Sequence, residues 1–251
     1  MKNSVEINIG LDREAAMLAR LRQLLISKGI YANIQPFEIR VEKAISSGDV
    51  SFTYELARRA NMTPRENYLV DNDAFVMLSM AIGIFKEDNS QTGNFSRGGN
   101  TFPLYYPDVN FFNTAGTGVN VSEAAALESI YNGFVTAKSD VTEVLFRLNT
   151  ERFRKAPRTQ YTVGAAGFPA TLPNYEGEQY QDVPMPALFE GKNDNQFSLK
   201  IAQKSDTVLI NGDDQSEFQN YIVIQHRGLV IRQYSEPTTI QEIRNSGLVV
   251  G

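Results

Sequence analysis

The 251-residue sequence has no cysteine, no tryptophan and a single histidine, His226. Without cysteine there is no disulfide framework, no thiolate nucleophile and no cysteine-ligated metal site, so the chain must fold by packing alone. One histidine cannot assemble a zinc site of the usual kind. It also leaves His226 as the sole imidazole for a serine triad, and no G-x-S-x-G surrounds any serine. Within "IQHRG" it reads first as a strand histidine satisfied by a neighbouring carbonyl. The lack of tryptophan removes the strongest sugar-stacking platform and leaves Tyr105 and Tyr106 for that task.

Long apolar runs are missing too. The longest, "AFVMLSMAIGIF" at 74–85, has 12 residues, against the ~20 that cross a bilayer as a helix. The start, "MKNSVEINIGLDREAA", shows no apolar secretory core. Basic charge is scarce: 24 Lys and Arg against 29 Asp and Glu give a net charge of -5, which disfavours a general nucleic-acid binder. Arg147, Arg152, Arg154, Lys155 and Arg158 do crowd together. They read as solvated strand faces and turns, with a local basic patch as the alternative. Phosphate loops are absent as well. "FEGKN" lacks the upstream glycine and the Ser/Thr of a P-loop, and "GTGVNV" (116–121) lacks the third glycine of a dinucleotide fingerprint.

What is present is β-structure. "FEIRVEKA" (37–44) alternates without a break, with Phe37, Ile39 and Val41 on one face and Glu38, Arg40 and Glu42 on the other. "VSFTYEL" (50–56) does the same across "ISSG", so the pair reads as a hairpin. "AFVMLSMAIGIF" is apolar on both faces and reads as a central, covered strand. Further strands are expected within "SIYNGFVTAKSDVTEVLFRLNT" (129–150), where Tyr131, Val135 and Ala137 share one face and Val144, Phe146 and Leu148 another. "QFSLKI" (196–201), "DTVLI" (206–210) and "YIVIQHRGLVIRQY" (221–234) follow, the last interrupted by Gly228 as by a turn or bulge. The Pro/Gly-rich stretch 163–187 reads as a long surface excursion, and the closing "SGLVVG" as an apolar tip. "TFPLYYPDVNFF" (101–112), aromatic and broken by prolines, reads as a plug for one end of a sandwich or as a recognition surface.

One helix precedes these strands. Asp12 can cap it, Gly29 can end it, and Leu11, Ala15, Leu18 and Leu25, widened by Met17, Leu21 and Leu24, form its apolar stripe. It packs on its own domain or docks as an arm on a neighbouring subunit. With about ten strand candidates and no βαβ rhythm, the expected class is all-β. The expected fold is an antiparallel β-sandwich of jelly-roll type, either one roll with long insertions or two small rolls, with an N-terminal amphipathic helix. Residues 1–35 would form the helical arm and 36–251 the body, with a subdivision near 113–125 left open.

Paired carboxylates are the catalytic device that remains, since β-sandwich glycosidases need no histidine. Glu38, Glu42, Glu55 and Glu143 qualify, but alternation puts each on a solvent-exposed face. Asp71 and Asp73 in "LVDNDAF", and Asp213 and Asp214 with Glu217 in "NGDDQSE", are candidate calcium ligands: hard oxygen donors in loops, without EF-hand spacing. No other cofactor is expected.

"ESIYNGFVTAKSDVTEVLFRLNTERFRKAPRTQ" (128–160), "PALFEGKNDNQFSLKI" and "NYIVIQHRGLVIRQ" together resemble the jelly-roll capsid proteins of small tailless bacteriophages with an internal membrane. The likeness covers about half the chain and lies in strand order and loop style. It implies a non-enzymatic virion protein that self-assembles, mostly as trimers, and contacts other capsid proteins. Two upright rolls would need about sixteen strands. The helix with Arg13, Arg20 and Arg22 resembles the way such shells meet their membrane, and no specific nucleic acid is implied. The competing expectation is a carbohydrate- or ligand-binding module with its site in the loops at 89–122.

Overall fold

The computed structural model describes residues 9–46, 49–58, 62–88, 103–107, 126–155, 180–201, 218–232 and 237–250. Their elements are α1 (Ile9–Ser27), β1 (Asn33–Ala44), β2 (Ser51–Glu55), β3 (Ala74–Asp88), β4 (Phe134–Ser139), β5 (Thr142–Asn149), β6 (Gln181–Glu190), β7 (Asn195–Lys200), β8 (Phe218–Arg232) and α2 (Pro237–Asn245). The strands make two antiparallel four-stranded sheets, A in the order β1-β8-β3-β6 and B in the order β2-β7-β4-β5. The chain is therefore mostly β, and sandwich-like.

The core follows from the period-2 pattern. Ile39 and Val41 of β1, Phe52 and Tyr54 of β2, and Phe197 and Leu199 of β7 all point between the sheets and are buried. β3 is covered on both faces, as its unbroken apolar run requires. The expected hairpin of β1 and β2 does not form. β1 pairs with β8 in sheet A, while β2 pairs with β7 in sheet B. Alternation tells a strand which face is wet; it says nothing about which strand lies beside it. The pairs β1·β8, β2·β7, β3·β6 and β4·β5 are instead nested, each enclosing the next along the chain. Two more pairs, β3·β8 and β4·β7, join them sideways.

Part of the expected surface excursion is β6. Its prolines, Pro184 and Pro186, are tolerated because β6 is an edge strand whose pairing skips from Ala187 to Asp182 while β3 advances only from Met77 to Ser79. The apolar tip finds a partner here. Leu188 N donates to Val250 O and Val250 N to Pro186 O, each at 2.8 Å, so the tip lies alongside β6. The other edge of sheet A, β1, is taken by the segment 62–69. Arg40 N donates to Asn67 Oδ1 and Glu42 N to Glu66 Oε1, and Asn67 N donates to Arg40 O.

The outer face of sheet A carries the helices. Met17, Leu21 and Leu25 of α1 meet Ile34, Val76, Leu188, Leu229 and Ile231 of the sheet and Ile240 and Ile243 of α2. Each such side chain contributes about 1.5–3 kcal/mol by leaving water. The stripe is rotated from the expected one: Ala15 is exposed, and Glu14 is buried in its place. Asp12 lies inside the helix, not at its cap. Gly29 does end it in a left-handed turn (φ 72°), with Ile30 N bonded to Leu25 O.

Candidate functional site

The half of sheet A's outer face that the helices leave is charged. Glu42 is the centre of it, with its side chain only 1% exposed. Alternation placed this carboxylate in water; the segment 62–69 folds over it instead. Arg40 Nη2 lies 2.6 Å from Glu42 Oε1, and Arg65 Nη2 lies 3.0 Å from Oε2. Arg65 also reaches Glu87 at 3.3 Å. Both guanidiniums stand over the Phe85 ring, at 5.8 and 5.0 Å. Enclosed in this way, the Glu42 carboxylate clamps the segment 62–69 to β1 and does not face solvent as alternation expects. Glu38 shares the face but Glu55 and Glu143 belong to sheet B, on the far side of the core.

Glu38 anchors a second cluster. Gln225 Nε2 donates to its carboxylate at 2.9 Å, and the Tyr105 hydroxyl donates to Gln225 Oε1 at 2.5 Å. Tyr180 also bonds Glu38. Burial first, and then Glu38 as hydrogen-bond partner and charge, push the Tyr180 phenol well above its ordinary range. Burial and the Glu38 charge push Tyr105 up likewise. Both phenols stay protonated and donate. Tyr105, expected as a stacking platform, is buried. Its segment runs beside β3 through a two-way backbone bridge between Leu104 and Ile84, while Arg154 covers the Tyr106 ring at 5.3 Å.

His226 sits in the core between the sheets, fully buried. Its ring lies 4.2 Å from that of Phe197, and Nδ1 lies 3.2 Å from Met77 Sδ. The expected carbonyl partner is not what it meets, and Nε2 has no hydrogen-bond partner among the described residues. Burial alone drives its pKa from 6.5 down to about 3.

Of the calcium candidates, Asp73 is buried and paired with Arg232 at 2.5 Å, and Asp71 is exposed beside it. Asp213, Asp214 and Glu217 lie outside the described residues, as do "DTVLI" and most of the loops at 89–122. Among the described residues no three His, Cys, Asp or Glu gather as a metal would need.

The outer face of sheet B is different, for no described helix covers it. The register sets out its pattern. Thr53 opposes Ser198, and Ser198 opposes Thr136, giving a row of short hydroxyl side chains across three strands. The next row holds Gln196, Lys138 and Glu143; the row on the other side holds Lys200 opposite Phe134. Short residues between long ones leave a groove of ≈ 360 Å³. On β5 the expected alternation of Val144, Phe146 and Leu148 fails. The register with β4 shifts on both sides of Ala137, Leu145 turns inward with Val144, and Phe146 is left 73% exposed. Arg147 takes a left-handed conformation (φ 46°) that brings its guanidinium over Phe134 at 4.9 Å. A non-glycine residue held there is strained. Nothing in the alternation announced it.

Comparison with protein-family models, with curated proteins and with solved structures gave no match.

Proposed function

We propose that the chain is a non-enzymatic subunit of a virion shell, a jelly-roll capsid protein of the kind found in small tailless phages with an internal membrane. The observation that carries the reading is the nesting of the strand pairs. A single antiparallel hairpin with pairs β1·β8, β2·β7, β3·β6 and β4·β5, rolled up so that β8 meets β3 and β7 meets β4, is the strand order expected of a jelly roll and supports that reading, an architecture shared by viral capsid and lectin domains. Eight described strands are the number that this reading needs for one roll. The segments that carry the resemblance fall on β4, β5, β6, β7 and β8. The charged side chains with perturbed surroundings serve as clamps that hold loops to strands, which is what a wall requires.

In this reading the subunit assembles, as a trimer by the resemblance, and meets lipid through α1. The apolar face of α1 is spent on sheet A, and Arg13 is paired with Asp182 at 2.8 Å. The lipid contact is therefore electrostatic and falls to Arg20 and Arg22, both exposed. Light scattering of the purified chain tests the assembly, with and without calcium. Trimers or larger particles support it, and growth with calcium would direct attention to Asp71, Asp213 and Asp214. A 28.0 kDa monomer under every condition would overturn it.

A further inference from the structure

We infer that the groove on the outer face of sheet B is a binding site for an acidic sugar, a pyranose carrying a carboxylate. The inference stands apart from the shell reading, because it needs one chain only. Three observations carry it.

The first is charge. Lys138, Arg147 and Lys200 line the groove, and none of them pairs with a carboxylate among the described residues. This happens on a chain of net charge -5, so the cations are gathered against the trend of the whole molecule. They call for an anion.

The second is the floor. Thr53, Thr136 and Ser198 carry hydroxyls that both donate and accept, and Gln196 beside them does so through its amide. A bare phosphate or sulfate needs donors only. A ligand with several hydroxyls of its own uses both kinds. Glu143, in the same lining, accepts from ligand hydroxyls and repels a compact or repeating polyanion.

The third is the pair of phenylalanines. Phe146 is 73% exposed where the β5 register breaks, and Phe134 also lines the groove; Arg147 stands over both rings, at 6.0 and 4.9 Å, and Lys200 over Phe134 at 5.9 Å, so the ring face left for a ligand is that of Phe146. Apolar ring faces set next to hydrogen-bonding groups match the two sides of a pyranose, whose C–H face is apolar and whose rim is polar. The ≈ 360 Å³ volume falls within the usual range of small-molecule clefts. The strained backbone of Arg147 belongs to this arrangement: in an ordinary strand conformation its side chain would follow the alternation that the register shifts have broken.

The test is titration of the full-length chain, followed by calorimetry and amide NMR shifts. The probes are glucuronate and N-acetylneuraminate, with glucose and inorganic phosphate as comparisons. At least one sugar acid should bind at millimolar concentration or tighter, with glucose and phosphate about tenfold weaker or worse. Shifts should fall on β2, β4, β5 and β7. Arg147→Asn removes the guanidinium while tolerating the left-handed backbone, and should weaken binding about tenfold; Phe146→Ser and Lys200→Gln should each weaken it too. Circular dichroism and melting of the same variants report folding, and their mass in solution reports assembly, so loss of either is seen separately. The inference is overturned if neither sugar acid binds, if glucose or phosphate binds as well, or if folded Arg147→Asn binds like the parent.

Discussion

Protonation is expensive at the site of His226. The ring packs on Phe197 with no charge partner among the described residues, and burial holds its pKa near 3 against 6.5 when the chain is unfolded. The unfolded state thus binds an extra proton between those two values. The depressed pKa means that stability is complete above pH 6.5 and is lost as pH falls toward 3, at up to about 1.4 kcal/mol per pH unit. In His226→Leu this dependence should vanish. Urea unfolding at pH 7 and pH 4.5 should show the parent losing about 2.5 kcal/mol more than the variant across that interval. Equal losses would mean the imidazole is not buried neutral. At pH 7 the variant should be near parental stability, since it discards a polar nitrogen left without a partner. A lone histidine in a strand could be recognised from the sequence. Its depth could not, because the residues that bury it, Met77 and Phe197, come from strands far away in the chain.

At the scale of elements, the legible features are those written in local chemistry. β1, β2, β3, β7 and β8 alternate or run apolar as strands do, and Gly29 stops α1 where expected. Features decided by a partner strand were misread. Gly228 was expected to interrupt its own strand, yet β8 runs through it, and the irregularity lies opposite, between Met77 and Ser79 of β3. A Cβ at Gly228 would sit 2.0 Å from Val76 O, whereas one at Gly29 would meet nothing within 4 Å. Gly228→Ala should therefore cost about 2–3 kcal/mol by forcing β3 and β8 apart, and Gly29→Ala about 1 kcal/mol from its left-handed backbone alone. Thermal or urea unfolding of the two variants ranks them, and the reverse order would contradict the close approach of β3 and β8. α2, absent from the expected elements, carries conventional signals: Pro237 at its start, Ile240 and Ile243 three apart, Arg244 in the last turn, and Gly247 left-handed just beyond.

For the whole molecule, the two sheets differ in what faces outward. Among the described residues, sheet A is overlaid by α1, α2 and the segments 62–69 and 103–107, and sheet B shows its polar face. The class of fold could be read from strand periods, but the groove on sheet B could not, since it arises from cross-strand register and the two shifts of β5 against β4. The shell reading makes a salt-dependent prediction for the opposite side. The full chain should float with anionic liposomes at low ionic strength and detach near 1 M salt, where the Debye length shrinks to about 3 Å. Replacing Arg20 and Arg22 by Gln should abolish flotation and leave the fold intact, because neither belongs to the apolar stripe. Flotation that survives both changes would remove α1 from the contact. The sealing of sheet A by Asn67 and Glu66 at one margin and by Val250 at the other bears on what happens when copies of the chain meet at high concentration. Neighbours that brush these stretches of β1 and β6 find the ladder already taken. A ribbon of endlessly added strands is denied its first rung there, and copies that do associate along sheet A must use faces and ends, where geometry can close.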